Sequence, residues 1–294
     1  MPSPSLPLPT AEGAQVVVAA PAPGPGNWAG AASAVLVDGT TYLTYRVRRP
    51  LTDGRGVAVV VARSDDGVHF EPVCAVRRTE FGAESFERPA LVPLPDGGWR
   101  LYLSCATPGS KHWWIDSLTA PTVEELPRGE RRLVLPGDER TAVKDPVIEV
   151  GPDGWHLWLC CHPLTELGEE DRMSTRYLTS ADGLEWQDRG EVLTGRANEW
   201  DERGARVTTV LCRDPLAVLY DGRRDAASNW YERTGVAVQR DGRLEALDGV
   251  RLGSPHGDGA LRYACAVRQP DGRTRFYFEA AREDGAHDLM TSLA

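Results

Sequence analysis

Long apolar runs and an excess of positive charge are both missing from this sequence. No segment approaches the roughly 18 consecutive apolar residues of a membrane-spanning helix. The 294 residues include 43 acidic and 33 basic ones, which gives a formal net charge of −10. Binding to a phosphate backbone needs a basic surface, and this balance does not supply one. We therefore expect neither a membrane nor a nucleic-acid partner.

Paired cysteines are missing as well. None of the six cysteines belongs to a Cys-x-x-Cys pair, and most lie in apolar runs such as HLWLCC at 156–161. Buried free thiols in a reducing compartment explain this pattern better than disulfides or metal ligands. The sequence therefore predicts no metal site and no cofactor.

The N-terminus lacks the features of a secretory signal. The segment MPSPSLPLPTAEG contains no basic residue and no continuous apolar core. Its proline density predicts a disordered or extended lead-in over residues 1–12. We accordingly expect a cytoplasmic protein.

No stretch carries a useful helical stripe, and the sequence instead repeats with a period of 57–58 residues. Each repeat ends its second apolar segment on a polar or charged residue, and these residues recur at intervals of 58 or 59. They are Arg46, Ser104, His162, Asp221 and Glu279. A second series precedes the first apolar segment of each repeat at similar intervals, and consists of Glu87, Asp145, Glu202 and Asp258.

Turn residues divide every repeat into strands. An Asp-Gly turn joins the first two segments, as in VDGT at 37–40 and PDGG at 95–98. The first and third repeats add a hairpin with the pattern Ser-x-Asp-Gly-x-x-aromatic, which predicts a structural turn. Four strands repeated five times predict an all-β, five-bladed β-propeller with four-stranded blades, one domain over residues 13–294. Because too few residues follow Asp258 for a complete blade, AQVVVAA at 14–20 should supply the outer strand that closes the last blade.

The charged positions of the repeats should converge. The start of a first strand and the end of its antiparallel partner lie at the same face of a propeller. Both series are therefore expected to surround one axial funnel. The candidate catalytic residues are Asp145, Glu202 and Glu87, and the candidate substrate-binding residues are Arg46, Arg88, Lys144, Asp201, Arg203, His162, Asp221, Asp258 and Trp28. Arg206, Trp113, Trp230 and His256 lie on neighbouring segments.

Each candidate also has an ordinary structural explanation. Asp145 precedes a proline and could only shape a turn. Glu87 could pair with Arg88, Asp201 competes with Glu202 for the same role, and the arginines could form surface salt bridges. Several acidic groups held close together repel one another, however, and such crowding is typical of functional sites.

Carbohydrate is the substrate class that suits such a funnel. Tryptophan faces stack on sugar rings, while acids and arginines bind hydroxyl groups. Glycosidic cleavage uses one carboxyl group as general acid and a second as base or nucleophile. Arginine would equally serve a phosphate acceptor or an acidic sugar.

Four segments carry a family resemblance that covers nearly the whole chain after about residue 27. They are TYR at 44–46, KDP at 144–146, WDER at 200–203 and FYFEAARED at 276–284. With them the chain resembles the five-bladed propeller glycosidases of glycoside hydrolase families 43, 32 and 130, and is most similar to family 130. The resemblance to family 43 implies catalytic roles for Asp145 and Glu202.

The sequence also departs from these families. In FERP at 86–89, Arg88 replaces the proposed acid of family 130, and Glu87 is the carboxylate that remains. NWAGAAS at 27–33 has no carboxylate where families 43 and 32 have one. We therefore expect a glycoside hydrolase acting on a small oligosaccharide or glycoconjugate. The alternatives are a non-catalytic carbohydrate-binding propeller, a phosphorylase similar to family 130 and, with less support, a protein-interaction propeller.

Overall fold

Consecutive stretches of the chain fold into antiparallel sheets in the computed structural model, which describes residues 6–294. Three sheets contain four strands each, paired in chain order. The first contains β6 (Ala90–Pro93), β7 (Trp99–Ala106), β8 (Trp113–Ala120) and β9 (Glu130–Leu135). The second contains β10 (Thr141–Gly151), β11 (Gly154–Pro163), β12 (Ser174–Ser180) and β13 (Gln187–Thr194). The third contains β14 (Gly204–Arg213), β15 (Leu216–Arg223), β16 (Arg233–Arg240) and β17 (Arg243–Ala246).

The remaining strands form one eight-stranded sheet. One half contains β2 (Trp28–Val37), β3 (Thr40–Arg48), β4 (Gly56–Ser64) and β5 (Glu71–Arg77). The other half contains β18 (Leu261–Arg268), β19 (Thr274–Ala281), β20 (His287–Leu293) and β1 (Gln15–Val18). A single parallel residue pair, Trp28 with His287, joins β2 to β20.

Helical structure in the described residues is limited to three short 3-10 helices, Leu51–Asp53, Arg78–Phe81 and Leu126–Arg128. The fold is therefore all-β, as the turn pattern predicts. No helix within residues 6–294 is long and apolar enough to cross a membrane.

The first strands of the four-stranded sets contact one another in a closed circle, in the order β2, β6, β10, β14, β18 and back to β2. Apolar side chains fill the space between each set and the next. Leu101 packs with Val59 between the β2–β5 and β6–β9 sets, for example, and Phe276 packs with Leu219 between the β14–β17 and β18–β20 sets. The core is thus divided among the gaps between sheets, and the centre of the circle is left to polar residues.

Irregularities in the first strands decide what faces that centre. The pairing register shifts near the start of β2, β10 and β18, at Gly30/Ser33, Lys144/Val147 and Arg262/Cys265. Within each shift one residue adopts a positive φ, namely Ala31, Asp145 and Tyr263 at 53–55°. These residues have side chains and still adopt a conformation that favours glycine, which is typical of functional sites.

The N-terminal segment packs on the sheets. β1 pairs antiparallel with β20, and Val18 lies opposite Leu289, so the strand occupies the position that the sequence predicts. Of the expected lead-in, residues 1–5 lie outside the described residues. Leu6 and Leu8 pack against the cluster around Phe276, so this part of the lead-in is ordered against the fold.

Candidate functional site

A cavity of about 460 Å³ opens at the polar centre of the circle, and every set of strands contributes to its lining. We call it the axial pocket. It contains five of the residues predicted from the sequence: Trp28 of β2, Arg46 of β3, Glu87 before β6, Lys144 of β10 and His162 of β11. Arg206, Trp113 and Trp230 also line it, as their positions near the funnel suggested. The repeat therefore located the pocket and part of its lining.

Asp145 and Asp221 lie directly behind the lining and are both fully buried. Arg206 joins them, because its Nη1 donates to Asp145 Oδ2 at 2.8 Å and its Nη2 donates to Asp221 Oδ2 at 2.7 Å. Asp145 Oδ1 also accepts the backbone N–H of Arg88 at 3.0 Å. In this structure the two aspartates position Arg206 and do not line the pocket.

Arg88 points away from the axial pocket, although it was expected to bind substrate. Its Nε donates to the carbonyl of Ala32 at 3.0 Å, and the side chain is buried. It lines a different cavity of about 320 Å³, together with Pro146 and Thr208, which lie further along the first strands. The register shift of β2 thus supplies the carbonyl that holds Arg88 on the far side of the axial pocket.

The three candidates at 201–203 lie beside β13 and β14, outside the pocket. Asp201 is buried and accepts the hydroxyl of Tyr220 at 2.7 Å. Glu202 accepts the backbone N–H of Asn198 at 3.0 Å and lines a separate cavity of about 450 Å³. Arg203 binds Asp171 at 2.6 Å and lines that same cavity. The repeat placed these residues near a strand start, but the turn before β14 carries them to the side of the funnel.

Asp258 also lies outside the axial pocket, but it contacts His287, which supports one wall of the pocket. Its Oδ2 is 3.2 Å from His287 Nε2, and Glu279 Oε1 is 2.8 Å from Nδ1 of the same ring. His287 stacks on Trp28 with ring centroids 4.5 Å apart. The two carboxylates therefore fix an imidazole that supports one wall of the pocket.

The sequence does not predict several of the residues that line the axial pocket. They are Leu51, Arg55, Ser110, Lys111, Glu170, Asp171, Arg223, Asn229, Glu232, Arg262 and Tyr263. Arg262 and Tyr263 occupy the same positions at the register shift of β18 as Lys144 and Asp145 do at that of β10, so the repeat did contain a signal for them. Glu170 and Glu232 lie in or next to connections between second and third strands, where no position repeats.

Arginines and carboxylates alternate around the base of the pocket. Arg46 binds Glu87 and, at 3.0 Å, Glu279. Arg262 binds Glu279 at 2.7 Å and Glu232 at 2.5 Å. Because each buried charge has an opposite partner within hydrogen-bond distance, the cluster is tolerated in a dry interior.

Glu87 differs from the other carboxylates of this cluster. Its Oε2 accepts hydrogen bonds from Arg46 and, at 3.3 Å, from the hydroxyl of Tyr263. Its Oε1 accepts none from the described residues. Arg206 in turn donates to the Tyr263 hydroxyl at 3.0 Å, so the phenol is oriented toward Glu87. One oxygen of a fixed carboxyl group is thereby left for a ligand in the pocket.

Burial sets the protonation of the pocket's bases. It lowers the pKa of Lys144 to about 8, although the nearby Asp145 carboxylate opposes the shift. It holds the pKa of His162 well below its ordinary value, and the positive charges of Lys144 and Arg223 act in the same direction. His162 is therefore a neutral imidazole at physiological pH.

The buried aspartates respond differently to their surroundings. Burial alone would raise the pKa of Asp145, but Lys144 and Arg206 bring it below the ordinary value. For Asp221 burial dominates and the pKa is raised, although Arg206 opposes it.

Aromatic walls enclose the pocket on two sides. Trp28 and Trp230 meet edge to face with centroids 6.2 Å apart, and Arg48 lies 3.9 Å from the centroid of Trp28. Trp113 forms the other wall, with Lys144 Nζ 5.0 Å and the Arg55 guanidinium 5.5 Å from its centroid. Trp28 and Trp113 are buried beneath these cations, whereas Trp230 is partly exposed, and its ring beside many hydrogen-bond donors suits a sugar. No cluster of potential metal ligands occurs within residues 6–294.

The sequence matches no protein-family model and no curated protein. Solved structures do resemble the fold. A thermostable family-43 glycoside hydrolase is 14% identical with a TM-score of 0.71, and the match covers 90% of this chain and 88% of that one. The α-L-arabinofuranosidase of Lactobacillus brevis is 11% identical with a TM-score of 0.69, over 90% of both chains.

A phosphorylase has a similar structure as well. The β-1,2-mannobiose phosphorylase of Listeria innocua is 14% identical with a TM-score of 0.63, over 98% of this chain and 92% of that one. At such identities the likeness concerns the fold alone. The chain therefore has the fold of the propeller glycosidases, as the resemblance of its motifs predicts.

Proposed function

We propose that this chain is a glycosidase that cleaves a small oligosaccharide or glycoconjugate in the axial pocket. The observation that carries the proposal is Glu87, a fixed carboxyl group with one oxygen that accepts no hydrogen bond from the described residues, in a pocket that three tryptophans also line. The likeness of fold to glycoside hydrolases and to a phosphorylase supports it. The six cysteines are free, and four of them are buried, which fits the reducing environment of the cytoplasm.

The fold that we propose for this enzyme is a five-bladed propeller over residues 13–294. The eight-stranded sheet then counts as two blades that touch at Trp28 and His287. Two observations support this count. Five first strands contact one another in a circle, and five apolar clusters fill the gaps between consecutive sets.

Glu87 is the proposed general acid. When Glu87 takes up a proton for catalysis, Oε2 still accepts hydrogen bonds from Arg46 and Tyr263, so the proton resides on Oε1. Oε1 would donate that proton to the glycosidic oxygen as the bond to the anomeric carbon breaks. The leaving sugar thus departs as a neutral alcohol.

Hydrolysis needs a second carboxylate to activate water, and Glu170 is the proposed base. It lines the pocket on the connection between β11 and β12 and forms no ion pair among the described residues. Asp171 and Glu232 suit this role less well. Asp171 binds Arg203 at 2.6 Å, and both oxygens of Glu232 contact arginines.

Phosphorolysis is the second candidate, and the charge of the lining favours it. Seven cationic side chains and four carboxylates line the axial pocket, although the whole chain carries a net charge of −10. Phosphate is itself the nucleophile in phosphorolysis, so the protein supplies only a proton donor. Glu87 alone would meet that need. The cleaved bond is the same in both reactions, and only the acceptor differs.

The test is a screen of aryl glycosides and short oligosaccharides, each with and without phosphate. Glu87→Gln and Glu170→Gln are compared with wild type, and Glu202→Gln, outside the pocket, is the control. For a hydrolase we expect both pocket variants to lose at least about 100-fold in kcat and the control to keep its activity. Turnover that needs phosphate and survives Glu170→Gln would instead establish the phosphorylase.

A third result would overturn both reactions. If wild type turns over nothing but binds a sugar by calorimetry, the chain is a carbohydrate-binding propeller without catalysis. Turnover that survives Glu87→Gln would remove Glu87 from the mechanism.

A further inference from the structure

The two lysines of this chain both lie at the axial pocket. Of the 33 basic residues, two are lysines, Lys111 and Lys144, and the other 31 are arginines. Both lysines line the axial pocket. Lys144 lies against the ring of Trp113, and Lys111 is two residues before that tryptophan. Arg55 contacts the same ring, so two cations lie against Trp113 and a third lines the same pocket.

These three cations are weakly paired within the described part of the chain. Lys144 Nζ has one carboxylate oxygen within 4.0 Å, on Asp145 at 3.8 Å, and that oxygen is already bound by Arg206 at 2.8 Å. Arg55 has Glu84 at 3.8 Å, whose side chain is 42% exposed. Lys111 forms no ion pair with residues 6–294. Lys144 also donates no hydrogen bond to any of these residues.

The carboxylates that line the pocket do not neutralise the positive charge of the three cations near Trp113. Glu87 is bound by Arg46, and Glu232 by Arg223 and Arg262. Asp171 is bound by Arg203, which leaves Glu170 at the rim. The positive charge is thus concentrated beside Trp113, while the base of the pocket is close to neutral.

The backbone at Arg55 supports a ligand role. Arg55 has a φ of 56°, a conformation that costs free energy for a residue with a side chain. Its N–H donates to the carbonyl of Pro50 at 3.3 Å, which closes the turn after the 3-10 helix Leu51–Asp53. This turn holds the guanidinium at the pocket, with its Nε buried and unpartnered.

We propose that the substrate is an acidic carbohydrate whose anionic substituent is bound by Arg55, Lys111 and Lys144 beside Trp113. This inference rests on the proposed function and names the substrate class. The ammonium groups act as compact charges with several free N–H donors, and the guanidinium adds a planar donor pair. A carboxylate, as in a uronic acid, and a phosphate ester share the chemistry that this wall recognises.

Calorimetry with matched sugars tests the proposal. The probes are glucuronate with glucose, galacturonate with galactose, mannuronate with mannose, and the 6-phosphate of each hexose. We expect the acidic member of at least one pair to bind about tenfold or more tighter than its neutral partner. The better of the uronate and the phosphate ester then identifies the substituent. Arg55→Gln and Lys111→Gln should each reduce this preference, whereas Arg132→Gln, which removes an exposed charge on β9, should leave it unchanged.

Three results would overturn it. The neutral sugar could bind as tightly as the acidic one, or the preference could survive both variants. Inorganic phosphate alone could also bind at these cations without any preference for acidic sugars, which would assign the wall to an acceptor. Because binding is measured without turnover, these results are distinct from failure of the glycosidase proposal, which is decided by the activity of Glu87→Gln.

Discussion

At the scale of single residues, Lys144 should make the binding of an anionic ligand depend on pH. Burial lowers its pKa to about 8, so the ammonium is lost as the pH rises through that value. An anionic ligand binds the protonated form more tightly, because a neutral Lys144 leaves only Arg55 and Lys111 to hold the negative charge. The affinity for a uronate should therefore change little just below pH 7 and fall by up to about tenfold between pH 7 and pH 9, because one pH unit above the pKa corresponds to tenfold less ammonium. Calorimetry with the acidic sugar at a series of pH values measures this.

The groups that face Lys144 do not titrate in this range. His162 is already neutral, the pKa of the Cys160 thiol is raised to about 12 by burial, and Asp145 is ionised. Lys144→Arg keeps its charge at pH 9 and should give a flat profile, as should the neutral sugar on wild type. A flat profile for the acidic sugar on wild type would contradict the role of Lys144.

Asp145 shows what a position in a repeat reveals about a residue. Its place at the start of a first strand predicted proximity to the axis, and it does bind Lys144 and Arg206 there. The direction of its side chain depends on the bulge in β10, which the sequence does not encode locally. A sequence repeat therefore predicts which part of the fold a residue occupies better than it predicts whether the side chain contacts a ligand.

At the scale of structural elements, two hairpins are each attached to a neighbouring set of strands. In each Ser-x-Asp-Gly turn the aspartate accepts two backbone N–H groups, at 2.8 Å for both bonds of Asp66 and at 2.8 and 3.0 Å for Asp182. The turn was predictable because these bonds are local. The partner of the turn was not predictable, since Tyr102 and Tyr277 come from other sets of strands and donate to the carbonyls of Gly183 and Gly67.

Removing these tyrosine hydroxyls should destabilise the protein without affecting its pocket. Tyr102→Phe and Tyr277→Phe each delete one buried hydrogen bond, and each should lower the free energy of unfolding by about 1 kcal/mol. Because the two sites share no partner, the double variant should lose about 2 kcal/mol. Urea denaturation measures the loss, and sugar binding should stay unchanged.

Tyr42→Phe is the matched control, because the Tyr42 hydroxyl forms no hydrogen bond within residues 6–294. If it destabilises the protein as much as Tyr102→Phe does, the bond between the hairpin and the neighbouring sheet contributes nothing specific.

The repeat predicted more at the scale of the whole molecule than at the scale of the site. The period and the turns of the repeat predict the strands, the position of β1 and the polar centre. They do so because few closed arrangements of strands fit a regular period. Five of its candidates line the pocket. Glu170 and Glu232 could not be found in this way, because the connections that carry them differ from repeat to repeat.

Strand β1 should stabilise the last set of strands by completing its outer edge. It covers the outer edge of β20, and Val18 packs against the cluster around Leu43 and Leu289. A charge at that position would be desolvated, and an apolar contact would be lost. We expect Val18→Asp to lower the free energy of unfolding by about 2 kcal/mol, measured by urea denaturation.

Val16→Asp on the same strand is its control, because Val16 is 49% exposed and its new charge would stay in water. That variant should change the free energy of unfolding by less than about 0.5 kcal/mol. Equal effects of the two substitutions would mean that β1 adds only backbone pairing to β20. A larger loss for Val18→Asp would show that the N-terminal strand belongs to the core between the first and last sets of strands, where Trp28 and His287 support the pocket wall.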